Sequence, residues 1–246
     1  MEGSIVRVGL IGFGTVGSGV VKILFENRET IRKRTGFEIE LKKIADLDIE
    51  TDRNLGFEIP RHMLTTNAEE IINDPDIDIV VELIGGIEPA KTFILSAIDK
   101  GKSVVTANKK LLAESGAEIF EKAKEKNVEL GFEASVGGGI PIIKAIKESF
   151  VGNNIRKVYG ILNGTANYIL TKMSKEGSSY EDALRDAQEK GFAEADPTLD
   201  VKGIDAAHKL AILAMISFGI GLNFDELYRE GIDKIMPIDI SFADEF

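Results

Sequence analysis

Between Gly191 and Lys209 the chain reads GFAEADPTLDVKGIDAAHK and places Glu194, Asp196, Asp200, Asp205 and Lys209 directly ahead of the apolar run LAILAMISFGIGL. Asp205 and Lys209 stand four apart, so on a helix they share one face, with the acid N-terminal to the base. On an open surface such a pair contributes only a few tenths of a kcal/mol. From Leu210 onward, however, the expected helix is apolar nearly all round, which marks an element of the core. Lys209 would then stand where the chain enters the interior. A lysine there needs partners or loses its proton, and either condition suits an active site.

A second chemistry-bearing stretch lies at the start of the chain. Val6 to Ile11 is a short β-branched and apolar run that leads into Gly12-Phe13-Gly14-Thr15-Val16-Gly17, after which the apolar spacing becomes helical. Strand, glycine turn and helix in that order form the context of a dinucleotide-binding fingerprint. Gly12 permits the tight turn, Gly14 lets the backbone approach a pyrophosphate, and Gly17 allows close helix packing. The helix N-terminus then offers unpaired amides and partial positive charge to the phosphates.

The elements that must position these residues alternate along the N-terminal half. Strands are expected at Glu38 to Ala45, Ile77 to Ile84, Ser103 to Thr106 and Val128 to Phe132, separated by amphipathic helical segments. That pattern predicts an α/β fold with a Rossmann-type, doubly wound parallel sheet. The second strand ends in Ala45-Asp46-Leu47-Asp48, where an acid can accept bonds from the adenosine ribose and repel a 2′-phosphate. NAD is thus favoured over NADP, with Arg53 as the counter-signal. Gly85 and Gly86 let backbone lie against a nicotinamide ring. Asn108 reads either as a helix N-cap or as a functional residue. Lys109, in a first helical turn, opposes the helix dipole and so points towards something anionic.

At Glu133 the pattern changes to Glu133-Ala134-Ser135-Val136-Gly137-Gly138-Gly139-Ile140-Pro141. Three glycines make either a hinge or a turn whose carbonyls, with the Glu133 carboxylate, hold a hard cation. Beyond it, Lys157 to Leu162 reads as a strand, Asn163-Gly164-Thr165 as a turn opening a helix, and Tyr180 to Lys190 as another helix. The expected domains are therefore 1–133, binding the dinucleotide, and an α+β substrate-binding domain at 134–246.

Composition narrows the class. Thirty basic against forty-one acidic residues, a net charge of −11, argue against nucleic acid and anionic membrane as partners. The absence of cysteine excludes disulfides and thiol chemistry, and points to the cytoplasm. Two histidines, His62 and His208, are too few for a histidine-built zinc site. The longest apolar run, Leu210 to Leu222, falls short of the roughly 20 residues that span a bilayer.

In order, IGFGTVG, VELIGG, TANKKLLA, EASVGGGIP, GILNGTANYIL and GFAEADPTLDVKGIDAAHKLAIL resemble the homoserine dehydrogenases, from residue 5 to the end of the chain. The resemblance implies reversible reduction of L-aspartate 4-semialdehyde to L-homoserine with NAD or NADP, on the route to threonine, methionine and isoleucine. It implies Lys209 as proton donor with Asp205 beside it, and Glu194 and Asp200 around the substrate, Glu194 near its amino group. It places Lys109 near nicotinamide and substrate, and Phe13, Thr15, Val16 and Gly85 against the cofactor. It assigns a monovalent cation, sodium or potassium, to Glu133 and to the carbonyls of Val136, Gly138 and Ile140, and it implies a homodimer. Two departures stand out. Many relatives carry arginine after the second strand where this chain has Leu47 between two aspartates, and relatives continue past Phe246, so the chain looks C-terminally truncated. The competing expectations are another two-domain amino-acid or sugar dehydrogenase, and a non-catalytic dinucleotide sensor.

Overall fold

The computed structural model of the chain describes residues 4–243 and Glu245, and the backbone separates between Ile142 and Ile143 into two compact units. In the first, β1 (Ile5–Ile11) is followed by α1 (Thr15–Glu26), α2 (Arg28–Thr35) and β2 (Glu38–Ala45). Then come β3 (Leu64–Thr65), α3 (Glu69–Ile72), β4 (Ile79–Glu82), α4 (Ala90–Asp99), β5 (Ser103–Thr106), α5 (Lys109–Lys126) and β6 (Leu130–Gly131). The strands form one sheet in the order β3-β2-β1-β4-β5-β6 with every neighbouring pair parallel. Parallel neighbours need crossovers, and the crossover helices cover both faces of the sheet. Leu10 and Ile11, adjacent and so pointing to opposite faces, are accordingly only 0% and 2% exposed. The order reverses between β1 and β4, and the crevice beyond the strand ends at that point is where such folds take ligands.

This is the doubly wound sheet expected from the alternation of elements, with local differences. The expected strand at 77–84 is regular only over Ile79–Glu82, because its ladder with β1 covers only those four residues. The expected strand at 128–132 contracts to Leu130–Gly131, which pairs with only Val104 and Val105. β3 is two residues long and arises from pairing with Ile44 and Ala45, so no period of its own announced it. The segments KKLLAE and SGAEIFEKAKEKN join in the single helix α5, with Gly116 buried inside it.

The second unit begins as α6 (Ile142–Lys144) passes into a π-helical turn, Ala145–Ser149. It continues with α7 (Gly164–Glu176), α8 (Tyr180–Glu189), α9 (Thr198–Val201), α10 (Ile204–Phe218) and α11 (Pro237–Ala243). Its centre is built from Ile169, Met173, Ala183, Ala187, Ala193 and Val201. The strand expected over Lys157–Leu162 does not form. A strand exists only through a neighbour's ladder, and among the described residues this unit's regular elements are helices. A second correction concerns α10, which stops at Phe218 where Gly219 turns to φ 64. It buries Ala207, Ala211, Ile212 and Met215, whereas Leu210 is 36% and Phe218 42% exposed, so it is half-buried rather than buried all round. Among the described residues no helix is long and apolar enough to cross a membrane.

Asp186 ties α8 to α7. Its carboxylate accepts from Lys172 at 2.8 Å, from Lys190 at 3.0 Å and from the Tyr168 hydroxyl. The Lys172 bond first, then those from Tyr168 and Lys190, hold the Asp186 carboxyl well below the usual carboxylate range. A depressed folded pKa stabilises the unit at pH values above the unfolded value of about 3.9, and that contribution is lost as pH falls through the folded value. The thermal midpoint of the native chain should therefore drop from pH 5 to pH 2 more steeply than that of Asp186→Asn. Parallel curves would remove this carboxylate from acid stability.

Candidate active site

At the carboxyl edge of the first unit, the turn after β1 is shaped by backbone crowding. Gly12 sits at φ 104, and a Cβ there would lie 2.7 Å from the carbonyl carbon of Leu83. A Cβ on Gly17 would lie 2.0 Å from the Gly12 carbonyl oxygen, so α1 packs against the turn only without a side chain there. Gly14 differs, since a Cβ would meet nothing within 4 Å. It is also the N-cap of α1, and no side chain caps that end. The first-turn amides, from Thr15 and Val16 onward, thus face an open approach suited to phosphate oxygens. Thr15 and Val16 are exposed, whereas the Phe13 side chain is 5% exposed and belongs to the core, leaving its backbone at the edge.

Asp46 closes this turn from the end of β2. Its carboxylate accepts from the Phe13 amide at 2.5 Å and from the Asp48 amide at 2.9 Å. Two amides leave part of a carboxylate's acceptor capacity for further donors. Arg53 lies over the Phe13 ring, 5.6 Å from its centroid, and donates to the Asp48 carbonyl at 2.7 Å. Its guanidinium is 3.9 Å from Asp46 and 3.7 Å from Asp48, so its charge faces the two acids. A cleft of about 750 Å³ opens beside it, lined by Phe13, Arg53, Leu55, Phe57, Ile59 and Leu64 among others.

On the other side of the switch point, Gly85 and Gly86 hold φ 75 and 72 in succession. Asn108 is the N-cap of α5, accepting from the Leu111 amide at 3.2 Å, and it also donates to the Gly86 carbonyl at 2.6 Å. The N-cap reading of Asn108 therefore holds, and the same side chain also ties two loops together. Lys109 follows it, half-buried, in the first turn of α5. Farther along, Glu133 opens a 3-10 turn, Val136 is 1% exposed, and Gly137 and Gly138 both take positive φ before the exposed Ile140. This compact turn offers one carboxylate and a row of carbonyls, a donor set suited to a hard cation.

In the second unit the sequence pattern at Asp205 and Lys209 becomes a built site. Lys209 donates to Asp205 at 2.6 Å and to the Leu162 carbonyl at 2.7 Å. Asp205, 6% exposed in the first turn of α10, also accepts from the Asn163 amide group at 2.9 Å. Asn163 donates as well to Asp200 at 2.6 Å, and its carbonyl caps α7 through the Ala166 amide at 2.7 Å. One asparagine thus bridges two carboxylates, and one of them orients the lysine. Two of the three Lys209 donors are engaged and one is left for a ligand oxygen, on a side chain 20% exposed. Glu194 is not part of this network. It is exposed, and among the described residues its carboxylate has no hydrogen-bond or ion-pair partner.

Two polar residues escaped the sequence reading. Asn163 registered only as a turn and Glu82 only as part of an apolar strand, yet both are buried and multiply bonded. The available signal for Glu82 was a lone charge inside the run IVVELIG. His208, one of the two histidines, is packed inside, its ring stacked on that of Phe224 with centroids 4.5 Å apart.

Comparison with known proteins places both halves of the chain in one family. A family model described as homoserine dehydrogenase, NAD binding domain, matches residues 12–133, and one described as homoserine dehydrogenase matches residues 141–246. The homoserine dehydrogenase of Bacillus subtilis (strain 168) is 47% identical over 97% of this chain and 54% of its own. The crystal structure of a homoserine dehydrogenase from Thiobacillus denitrificans is 48% identical with a TM-score of 0.89, over 98% of this chain and 56% of that one. A hyperthermophilic archaeal homoserine dehydrogenase in complex with NADPH is 31% identical with a TM-score of 0.78, over 94% of this chain and 75% of that one. The chain spans about half the length of the curated relatives it matches. With both halves matched in order and three-quarters of the archaeal relative covered, the chain belongs to the homoserine dehydrogenase family.

Proposed function

We propose that the chain carries the dinucleotide-binding and substrate-binding parts of a homoserine dehydrogenase, interconverting L-aspartate 4-semialdehyde and L-homoserine. The observation that carries this reading is the Asn163–Asp205–Lys209 arrangement within a chain of that family. A bound nicotinamide dinucleotide supplies or receives the hydride. Reduction of the aldehyde carbon leaves negative charge on its oxygen, which needs a positioned proton donor. Lys209 gives that proton through its remaining N–H, and in the oxidative direction its neutral amine takes the hydroxyl proton. Asp205 and the Leu162 carbonyl hold the ammonium group in one orientation. Glu194 and Asp200 supply negative charge for the substrate's ammonium group, and Lys109 supplies positive charge at the nicotinamide end.

The pyrophosphate fits the open face at Gly14 and the first-turn amides of α1, and the adenosine ribose fits Asp46. NAD is the preferred cofactor, because Asp46 repels a 2′-phosphate while the charge of Arg53 already faces two carboxylates. A monovalent cation sits at Glu133 with the carbonyls of Val136, Gly138 and Ile140. Residues 1–133 serve the dinucleotide and 134–246 the substrate, in a cytoplasmic homodimer. These readings are tested together by absorbance at the reduced-nicotinamide band with L-homoserine and either NAD or NADP, with and without sodium or potassium. The expected result is a signal that is larger with NAD and raised by one of the cations. Dinucleotide binding with no turnover under any condition would favour the sensor reading.

A further inference from the structure

The deepest charged group of the first unit has no part in the chemistry above. Glu82, the last residue of β4, is fully buried at 0% exposure. Its Oε1 accepts from the Ile84 amide at 2.8 Å and the Gly85 amide at 3.2 Å, and its Oε2 accepts from the Thr106 hydroxyl at 2.7 Å. The Thr106 oxygen accepts in turn from the Asn108 amide at 3.0 Å, and Asn108 donates its side chain to the Gly86 carbonyl at 2.6 Å. Glu82, Ile84 to Gly86, Asn108 and Thr106 therefore make a closed circuit that fastens the loop after β4 to the loop after β5. No cation pairs with Glu82 among the described residues, so three donors alone satisfy it. An unpaired buried acid is costly unless fully bonded, which makes a purely passive filler here an expensive choice.

The circuit also has a defined place along a bound dinucleotide. The pyrophosphate belongs at the N-terminus of α1 and the adenosine ribose at Asp46, on the β2 side of β1. The other half of the molecule must then extend the opposite way, over the ends of β4 and β5. We infer that Glu82 is a positioning residue for the nicotinamide half of the cofactor, setting the Gly85 and Gly86 peptide groups and the start of α5 as one rigid edge. Being fully buried, it acts only through those loops. This rests on the dinucleotide reading above.

Titration with NADH and with ADP-ribose, which lacks the nicotinamide, separates the possibilities without relying on turnover. Glu82→Ala should weaken NADH by about tenfold or more, equivalent to about 1.4 kcal/mol, and leave ADP-ribose within about twofold. Glu82→Gln, which keeps one oxygen for the two amides, should recover most of the NADH affinity. If Glu82→Ala does not fold, Thr106→Val cuts the same circuit at its exit and should show the same selective loss, which Thr106→Ser restores. Equal losses for both ligands would make Glu82 a general prop of the fold and overturn the inference, as would no loss for either. A native chain that binds neither ligand would overturn the dinucleotide reading itself, and this inference with it.

Discussion

Lys209→Met is expected to lower turnover by about 10²–10⁴-fold, the range a positioned general acid contributes, with NADH affinity unchanged. Methionine keeps the length and the apolar stem of lysine but has no proton to give. Lys209 belongs to the second unit and the residues proposed to hold the dinucleotide belong to the first, so binding and chemistry should separate cleanly. The substitution also frees the Leu162 carbonyl and leaves Asp205 with fewer donors, so the thermal midpoint should be measured beside kcat. A variant that is folded, binds NADH and turns over at near-normal rate would take Lys209 out of the mechanism.

The second large effect is a contrast between two glycines three residues apart in one turn. Gly17→Ala forces a Cβ to within 2.0 Å of the Gly12 carbonyl oxygen, and both groups are backbone held by the sheet and by α1. Overpacking of this kind costs about 1–3 kcal/mol or more, and relief requires α1 to move off the turn that would bind phosphate. A lower thermal midpoint and loss of NADH binding should therefore appear together. Gly14→Ala meets nothing within 4 Å, so stability should stay within about 0.5 kcal/mol of native while NADH binding weakens. The added methyl occupies the space through which a pyrophosphate would reach the amides. Equal behaviour of the two variants in both measurements would sink this account of the turn.

Much of the first unit was legible in the sequence because each signal there is local. Val6 to Ile11 reads as a buried strand because crossover helices cover both faces of a parallel sheet, leaving an apolar run, whereas Glu38 to Ala45 mixes apolar with charged residues and buries Leu41, Ile44 and Ala45. The glycine spacing at Gly12, Gly14 and Gly17 is readable because Gly12 and Gly17 answer backbone crowding that no other residue meets, while Gly14 leaves the approach to the helix end open. The pair Asp205 and Lys209 was readable because helical geometry alone puts residues four apart side by side. In each case the interacting groups lie within one or two turns or one crossover of each other.

What the sequence could not show depends on groups brought together over long separations. Lys157 to Leu162 has the composition of a strand, but strand structure needs a partner ladder, and composition does not say whether one is present. The helix from Ile204 to Phe218 is apolar from Leu210 onward but for Ser217, yet packing leaves Leu210 and Phe218 exposed. The largest gain came from Asn163 and Glu82. Asn163 bridges Asp200 and Asp205 from 37 and 42 residues away, and Glu82 takes the Thr106 hydroxyl from 24 residues on. Residue types and their periods thus determined the sheet, the dinucleotide turn and the Asp205–Lys209 pair. Tertiary structure alone decided which buried polar groups satisfy one another, because a hydrogen bond between distant segments leaves no periodic trace in the chain.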